Sequence, residues 1–307
     1  MDIIILLFGF SIGLVLLVKG ADEMVSSAIQ IALKFKLPSS IVGATFIGFG
    51  TSAPELFAST RAALKGDLDL GIGNIVGSNI ANSLLVVAVL YLALPKDYSK
   101  KINLNKISPT WMAILTTIFV STYLLTNKFP FLLGVALLVL VLYVIYKMIS
   151  SESDDEESLI EEEKSYVWLR GGMSLVATLY GSQLVVENAV EIASIFGVSS
   201  LVIGSTIIAI GTSLPEVAGT ISAAKMRKPD IVFGNIFGSN LFNIGLVGGA
   251  AIMISPGEIS SAIDYQLFIM YFVSFVVIFL SRNIIKRNEI LGYVFIALYV
   301  LFLISLF

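Results

Sequence analysis

The chain has 307 residues, 57% of them hydrophobic and only 13% charged, with a mean hydropathy of +0.94. Soluble domains carry about a quarter charged residues, so a soluble enzyme or a sizeable domain outside a membrane is excluded. The net charge is −3 with dispersed basic residues, which disfavours nucleic acid as a partner, and there is no cysteine or histidine. That leaves no disulfide, no thiolate or imidazole metal ligand and no histidine proton relay. Any chemistry falls to oxygen: carboxylates, hydroxyls, amides and backbone carbonyls.

A membrane-spanning helix needs ~20 mostly apolar residues, and the chain supplies about ten such stretches. The first half reads as helices over Ile3–Leu33, Ser39–Leu64, Leu70–Leu94, Ile107–Leu125 and Phe129–Ile149. The second half reads as helices over Tyr166–Phe196, Ser199–Ala224, Ile231–Ile254, Tyr265–Leu280 and Ile290–Phe307. The expected fold is therefore an all-α polytopic membrane protein with ten transmembrane helices. The first segment lacks the layout of a cleavable signal, since it begins with Asp2 and runs on into helix 1.

Between the halves, Ser150–Ser165 (SSESDDEESLIEEEKS) concentrates acidic residues and reads as a solvated linker. A regulatory or calcium-sensing loop is the other reading, but the segment lacks the glycine-containing spacing of a calcium loop. The expected units are 1–149, the linker 150–165, and 166–307. Of the 19 lysines and arginines, Arg61, Lys65 and Lys128 fall in loops on one side and Lys19 lies within helix 1. The rest fall on the other side, which the positive-inside bias makes cytoplasmic. The linker is then cytoplasmic and both termini are outside, in a multi-pass protein of the cell membrane.

An internal repeat is the most informative feature. Ser39–Asn82 and Ser200–Asn243 align without a gap at an offset of 161 residues. Matches fall on unusual residues: Gly50/Gly211, Thr51/Thr212, Ser52/Ser213, Pro54/Pro215, Glu55/Glu216, Asn74/Asn235, Ser78/Ser239, Asn79/Asn240 and Asn82/Asn243. Gly20/Gly181 and Ala28/Ala189 keep the same offset, so helices 1 and 6 belong to the unit. Corresponding points are five helices apart. Five is odd, so the two five-helix repeats are inverted, a plan that places a substrate site at the repeat interface near the midplane.

Within each repeat, proline lacks an N–H and frees the carbonyl four residues back: Gly50 for Pro54, Gly211 for Pro215. Beside each break stand Thr, Ser and Glu. A charged group at mid-bilayer costs at least ~2.5–3.5 kcal/mol, so one unpaired glutamate per half calls for a compensating cation. Asn74, Ser78 and Asn82 follow at helical spacing, as do Asn235, Ser239 and Asn243, each set making one polar stripe. Gly73/Gly77 and Gly234/Gly238 allow close helix approach. An all-oxygen site suits Na⁺, Ca²⁺ or Mg²⁺. Two glutamates and nearby carbonyls reach the 6–8 ligands of calcium, whereas magnesium prefers to keep its waters.

The paired G-T-S-x-P-E segments, each followed by G-N-x-x-G-S-N, resemble the two alpha-repeats of the calcium/cation antiporter superfamily, and its sodium/calcium exchanger branch above all. The resemblance spans the whole chain. It implies that Glu55 and Glu216 bind calcium with the backbone carbonyls of Thr51 and Thr212. It also implies that Ser52, Ser213, Ser78 and Ser239, with the Thr51 and Thr212 hydroxyls, form flanking sodium sites, and that Asn82 and Asn243 complete the centre. Gly48 stands at a carbonyl position where alanine is common, while Ala209 keeps that alanine in the second half. Some prokaryotic relatives and the potassium-dependent branch carry Asp where this chain has Asn243. Asparagine in both halves is the pattern of animal potassium-independent exchangers.

The implied activity is Na⁺/Ca²⁺ antiport by alternating access, electrogenic and independent of potassium. It involves no cofactor, no enzymatic reaction, no nucleic acid and no obligate protein partner; the bilayer, Na⁺ and Ca²⁺ are the partners. In the family, long helices 1 and 6 slide as a gating pair across the other eight. Asp22, Glu23, Glu187 and Glu191 lie on them and read as interfacial or cytoplasmic-end charges rather than ligands. A Ca²⁺/H⁺ exchanger of the same fold is the alternative. A potassium-dependent exchanger and an uncoupled channel or scaffold are more distant rivals.

Overall fold

A computed structural model of the chain describes residues 3–101, 104–150, 166–198, 209–282 and 284–306. The first long helix, α1 (Ile3–Phe35), is followed by a broken pair, α2 (Ser39–Thr51) and α3 (Ala53–Leu64), bent by 46°. Next come α4 (Leu68–Ala93), α5 (Ile107–Thr126) and α6 (Phe131–Ile149). The second half holds α7 (Val167–Ile195), α8 (Ala209–Gly211), α9 (Leu214–Lys225), α10 (Pro229–Ile254), α11 (Asp264–Ser281) and α12 (Glu289–Ile304). Adding 161 to the bounds of α3 and α4 gives those of α9 and α10, so the sequence repeat is also a repeat of local structure. The linker 151–165 and the start of the seventh sequence-predicted helix, 199–208, lie outside the described residues.

Among the described residues, six helices are long and apolar enough to cross a membrane, seven with the bent pair counted as one span. The other expected spans miss that measure for identifiable reasons. Helix α7 mixes its apolar residues with Arg170, Glu187 and Glu191. Helix α12 has 16 residues, and α8 is described only from Ala209.

Helices α1 and α7 pack along their length. The buried face of α1 runs through Gly13, Leu17, Gly20, Met24, Ser27 and Ile31, and that of α7 through Gly171, Ser174, Thr178, Gly181 and Val185. Alternate steps of three and four residues keep such a seam in register between near-parallel helix axes. Small residues let the backbones touch. A Cβ at Gly181 would lie 2.8 Å from the Gly13 carbonyl oxygen and strike the Leu17 amide. The two halves also interlock where α10 crosses α2, since a Cβ at Gly238 would collide with the Ala44 backbone. Gly234 meets Ser40 in the same way, as the sequence led us to expect. The repeat equivalents of Ser40 and Ala44, positions 201 and 205, lie outside the described residues.

Connections pair at two opposite ends. At one end, β1 (Ser99–Lys101) runs antiparallel to β4 (Ile284–Lys286), with Ser99 opposite Lys286. There Arg227 bridges to Asp97 at 2.7 Å and holds that carboxyl below the usual carboxylate range. Arg287 donates to the Leu94 carbonyl at 3.2 Å. At the other end, β2 (Lys128–Phe129) pairs with β3 (Gly257–Glu258), Asp69 accepts from the Ser260 amide at 2.8 Å, and the Tyr123 hydroxyl donates to Asp264. The first end gathers the α4–α5, α9–α10 and α11–α12 connections, with most of their basic residues. The second gathers the α5–α6 and α10–α11 connections and the start of α4.

Candidate cation-binding site

The site is built at the break between α2 and α3. Before it, Gly43–Gly48 forms a π-helical turn, a feature that recurs at functional positions. The chain then turns at Ser52 (φ −82°, ψ 0°), and Pro54 sits in the first turn of α3, where its missing N–H costs nothing. Glu55 follows in that first turn, where the exposed amides of a helix start favour negative charge. Helix α9 begins the same way, with Pro215 and Glu216 in its first turn.

Glu55 and Glu216 are 4% and 2% exposed, although neither is a residue the interior accepts without compensation. The Ser78 hydroxyl donates to Glu55 Oε1 at 3.3 Å. The Thr51 hydroxyl faces the Glu216 carboxylate, and the two glutamates lie within reach of each other's charge. Thr51 Oγ1 also donates to the Ile47 carbonyl at 3.1 Å and stands 3.4 Å from Ser239 Oγ. Ser239 in turn donates to the Gly48 carbonyl at 3.2 Å, and that carbonyl also accepts from the Ser52 amide. A cation drawing on Gly48 would have to displace the Ser239 hydroxyl.

Several buried oxygens at this centre have no hydrogen-bond partner among the described residues: Glu55 Oε2, Glu216 Oε2, Ser52 Oγ and Asn243 Oδ1. No lysine or arginine pairs with either carboxylate among those residues. Buried polar groups are otherwise almost always satisfied, and buried charges are paired or coordinate metals. An orphan set made only of oxygen, with two carboxylates in it, has the chemistry of a hard-cation site. Ser213 is buried beside α9. Ala209 is the first described residue of α8.

The two halves differ in exposure. Thr51 is fully buried, whereas its counterpart Thr212 is exposed. Thr212 lines a cavity of about 560 Å³ together with Pro54, Pro215, Tyr180, Gln183 and Glu187. Glu187, expected as an interfacial or cytoplasmic-end charge, lines the cavity that reaches both breaks, and it accepts from Gln183 at 2.7 Å. Glu23 pairs with Arg170 at 2.7 Å across α1 and α7.

Two residues matched in the repeat but given no role from the sequence prove central. The Asn82 amide donates to Asn240 Oδ1 at 3.1 Å, and the Asn243 amide donates to Asn79 Oδ1 at 3.0 Å. Each bond becomes the other when the halves are exchanged. Here α4 and α10 cross, each at the start of a π turn (Asn82–Val86 and Asn243–Gly248). Asn74, the first residue of the first stripe, donates to Ser59 Oγ at 2.9 Å rather than to a carboxylate.

The chain is similar in sequence and shape to sodium/calcium exchangers. The sodium/calcium exchanger protein family model matches residues 5–151 and 166–307. The chain is 38% identical to CaxA of Alkalimonas amylolytica over 262 residues, covering 82% of this chain and 81% of that one. It is 30% identical to the sodium/calcium exchanger MaX1 of Methanosarcina acetivorans over 345 residues, covering 96% and 97%. A solved structure of the sodium-calcium exchanger NCX_Mj superposes with a TM-score of 0.84 at 27% identity, covering 100% of both chains. The two broken helices, the buried glutamates and these likenesses agree: the chain belongs to the sodium/calcium exchanger protein family, within the calcium/cation antiporter superfamily, and is a membrane cation antiporter.

Proposed function

We propose that this protein exchanges Na⁺ for Ca²⁺ by alternating access, moving net charge in each cycle and needing no potassium. The unpartnered buried oxygens of Glu55 and Glu216 carry this reading. The two carboxylates neutralise one Ca²⁺, with the Thr51 and Thr212 carbonyls as further ligands. The hydroxyls of Ser52, Ser213, Ser78, Ser239, Thr51 and Thr212, the carbonyls of Gly48 and Ala209, and the side chains of Asn82 and Asn243 make smaller, neutral positions for Na⁺. One Ca²⁺ and a full set of Na⁺ compete for the same glutamates, so the ions alternate. An empty site leaves two desolvated negative charges, which opposes the return step without cargo.

In this reading the chain spans the membrane ten times as two inverted halves, 1–149 and 166–307, in the cell membrane. The basic end faces the cytoplasm with the 150–165 linker, both termini are outside, and the cavity beside Thr212 is an entry to the site. MaX1 and NCX_Mj are themselves named sodium/calcium exchangers, which supports the choice of ions. Asn243 in place of an aspartate supports independence from potassium, because the centre carries no third charge for a further monovalent ion to balance.

The test is ⁴⁵Ca²⁺ uptake into proteoliposomes loaded with Na⁺, then with K⁺, choline or an outward proton gradient in its place. Uptake driven by Na⁺ alone, and unchanged by K⁺ or choline in the background, is the expected result. Uptake driven by the proton gradient would establish the alternative, a Ca²⁺/H⁺ exchanger, since the same two carboxylates can each carry a proton.

A further inference from the structure

We propose that Asn79 and Asn240 are positioning residues that turn the side-chain oxygens of Asn243 and Asn82 toward the two carboxylates. The inference rests on the cation site proposed above. A side-chain amide has an accepting end and a donating end, and only the accepting end attracts a cation. Which end of Asn243 faces the site therefore decides whether it is a ligand or a repulsive contact.

The hydrogen bonds around Asn79 determine that orientation. Its Nδ2 lies 3.4 Å from the backbone carbonyl oxygen of Asn240, a group that can only accept. The nitrogen end of Asn79 is assigned by that contact, so its Oδ1 occupies the opposite end and accepts from Asn243 Nδ2 at 3.0 Å. The amide nitrogen of Asn243 is thus held on the side away from its own Oδ1, which is buried without a partner. Asn79 and Asn240 are 0% exposed, so no water competes for these ends.

The opposite half repeats the amide-to-amide bond, but its anchor is a hydroxyl, which can donate as well as accept. Asn82 Nδ2 donates to Asn240 Oδ1 at 3.1 Å, and Asn240 Nδ2 donates to Ser83 Oγ at 3.2 Å. Ser83 has Ile244 as its counterpart, so this hydroxyl anchor exists in one half only. The side-chain oxygens of Asn79 and Asn240 each accept a neighbour's amide N–H. They act through Asn243 and Asn82, as outer partners that fix a ligand's orientation do at other metal sites.

A mutant cycle separates orientation from mere packing. Asn79→Leu removes the acceptor and keeps a buried side chain of similar bulk. Asn243→Asp supplies a carboxylate with oxygen at both ends, which needs no orienting partner. In Na⁺-loaded proteoliposomes, Asn79→Leu should raise the KM for ⁴⁵Ca²⁺ by about tenfold or more, with the maximal rate held within about twofold. In the Asn243→Asp background the same substitution should change KM by less than about threefold, because no amide remains to turn. Equal penalties in the two backgrounds, with an active wild type, would overturn the inference alone. A wild type without Na⁺-driven uptake would overturn the reading of the site and this inference together. If Asn79→Leu does not fold, the cycle of Asn240→Leu with Asn82→Asp carries the same expectation and the same refutation.

Discussion

Glu216→Gln keeps the shape of the side chain and removes one of the two charges at the centre. With both glutamates ionised, the site and one Ca²⁺ sum to zero; in the variant they leave a net +1. A net charge at that depth costs ~2.5–3.5 kcal/mol on insertion scales. At 1.4 kcal/mol per tenfold, Ca²⁺ should bind about 60- to 300-fold more weakly. Stability should move the other way. In the cation-free protein Glu216 Oε2 is buried without a partner, so exchanging a charged group for a neutral amide relieves a desolvation cost. The assay pairs ⁴⁵Ca²⁺ uptake into Na⁺-loaded proteoliposomes with thermal melting in cation-free detergent. A variant with the wild-type KM would refute the assignment of Glu216. A variant whose uptake is lost together with its melting transition would show that Glu216 holds the fold rather than the ion.

Three further expectations concern the frame around the site. In this cysteine-free chain, Ser99→Cys and Lys286→Cys should form a disulfide on mild oxidation, since these residues face each other across β1 and β4, while Ser99→Cys and Glu258→Cys should not. A single cysteine at Lys286 should react with an impermeant maleimide from the opposite side of the membrane to one at Glu258, and labelling of both from one side would defeat the paired-end arrangement. Gly181→Leu should lower thermal stability by about 1–3 kcal/mol or more through overpacking, because its side chain meets the Leu17 amide and the Gly13 carbonyl rather than a flexible side chain; an unchanged melting curve would show that α1 and α7 are less closely apposed.

Much of this architecture is legible in the sequence because its signals are covalent. The lack of an N–H at Pro54 and Pro215 dictates where helices break, and the 161-residue offset carries the bounds of α3 and α4 onto α9 and α10. The carboxylates were legible too, since Glu55 and Glu216 stand within apolar stretches with no basic residue within five positions of either. The missing parts depend on three-dimensional placement. The π turns at Gly43–Gly48 and Asn82–Val86 follow from how helices settle against one another, and no residue type announces them. The roles of Asn79 and Asn240 exist only because α4 and α10 cross at those residues. Identity across the repeat marked both, and the helical stripe of Asn74, Ser78 and Asn82 passed them by. The contrast between buried Thr51 and exposed Thr212 belongs to the conformation adopted, so two near-identical motifs could not reveal it. Glu187 reads as an end charge by position along α7, yet the lie of that helix brings it to the cavity beside Thr212.

The difference in charge between the two cargoes leads to a prediction about voltage. Glu55 and Glu216 provide two negative charges, which balance one Ca²⁺ or two Na⁺. In the proposed site, the neutral oxygens around them, from Ser52 and Ser78 on one side to Ser239 and Asn243 on the other, are the positions for sodium beyond that pair. A third Na⁺ on the inward or outward leg makes each cycle carry one net charge. Moving one charge through the membrane potential is worth ~2.3 kcal/mol per 100 mV, which at 1.4 kcal/mol per tenfold is a factor of about 40 to 50. Proteoliposomes with fixed Na⁺ gradients and a potential set by potassium and valinomycin should therefore reach a Ca²⁺ ratio that shifts about 40- to 50-fold for each 100 mV imposed. The direction follows from the charge balance: an inside-negative potential drives Na⁺ in and lowers internal Ca²⁺. A Ca²⁺ ratio that ignores the potential would mean that two Na⁺ exchange for one Ca²⁺, with the neutral hydroxyls ligating the same two sodium ions rather than a third.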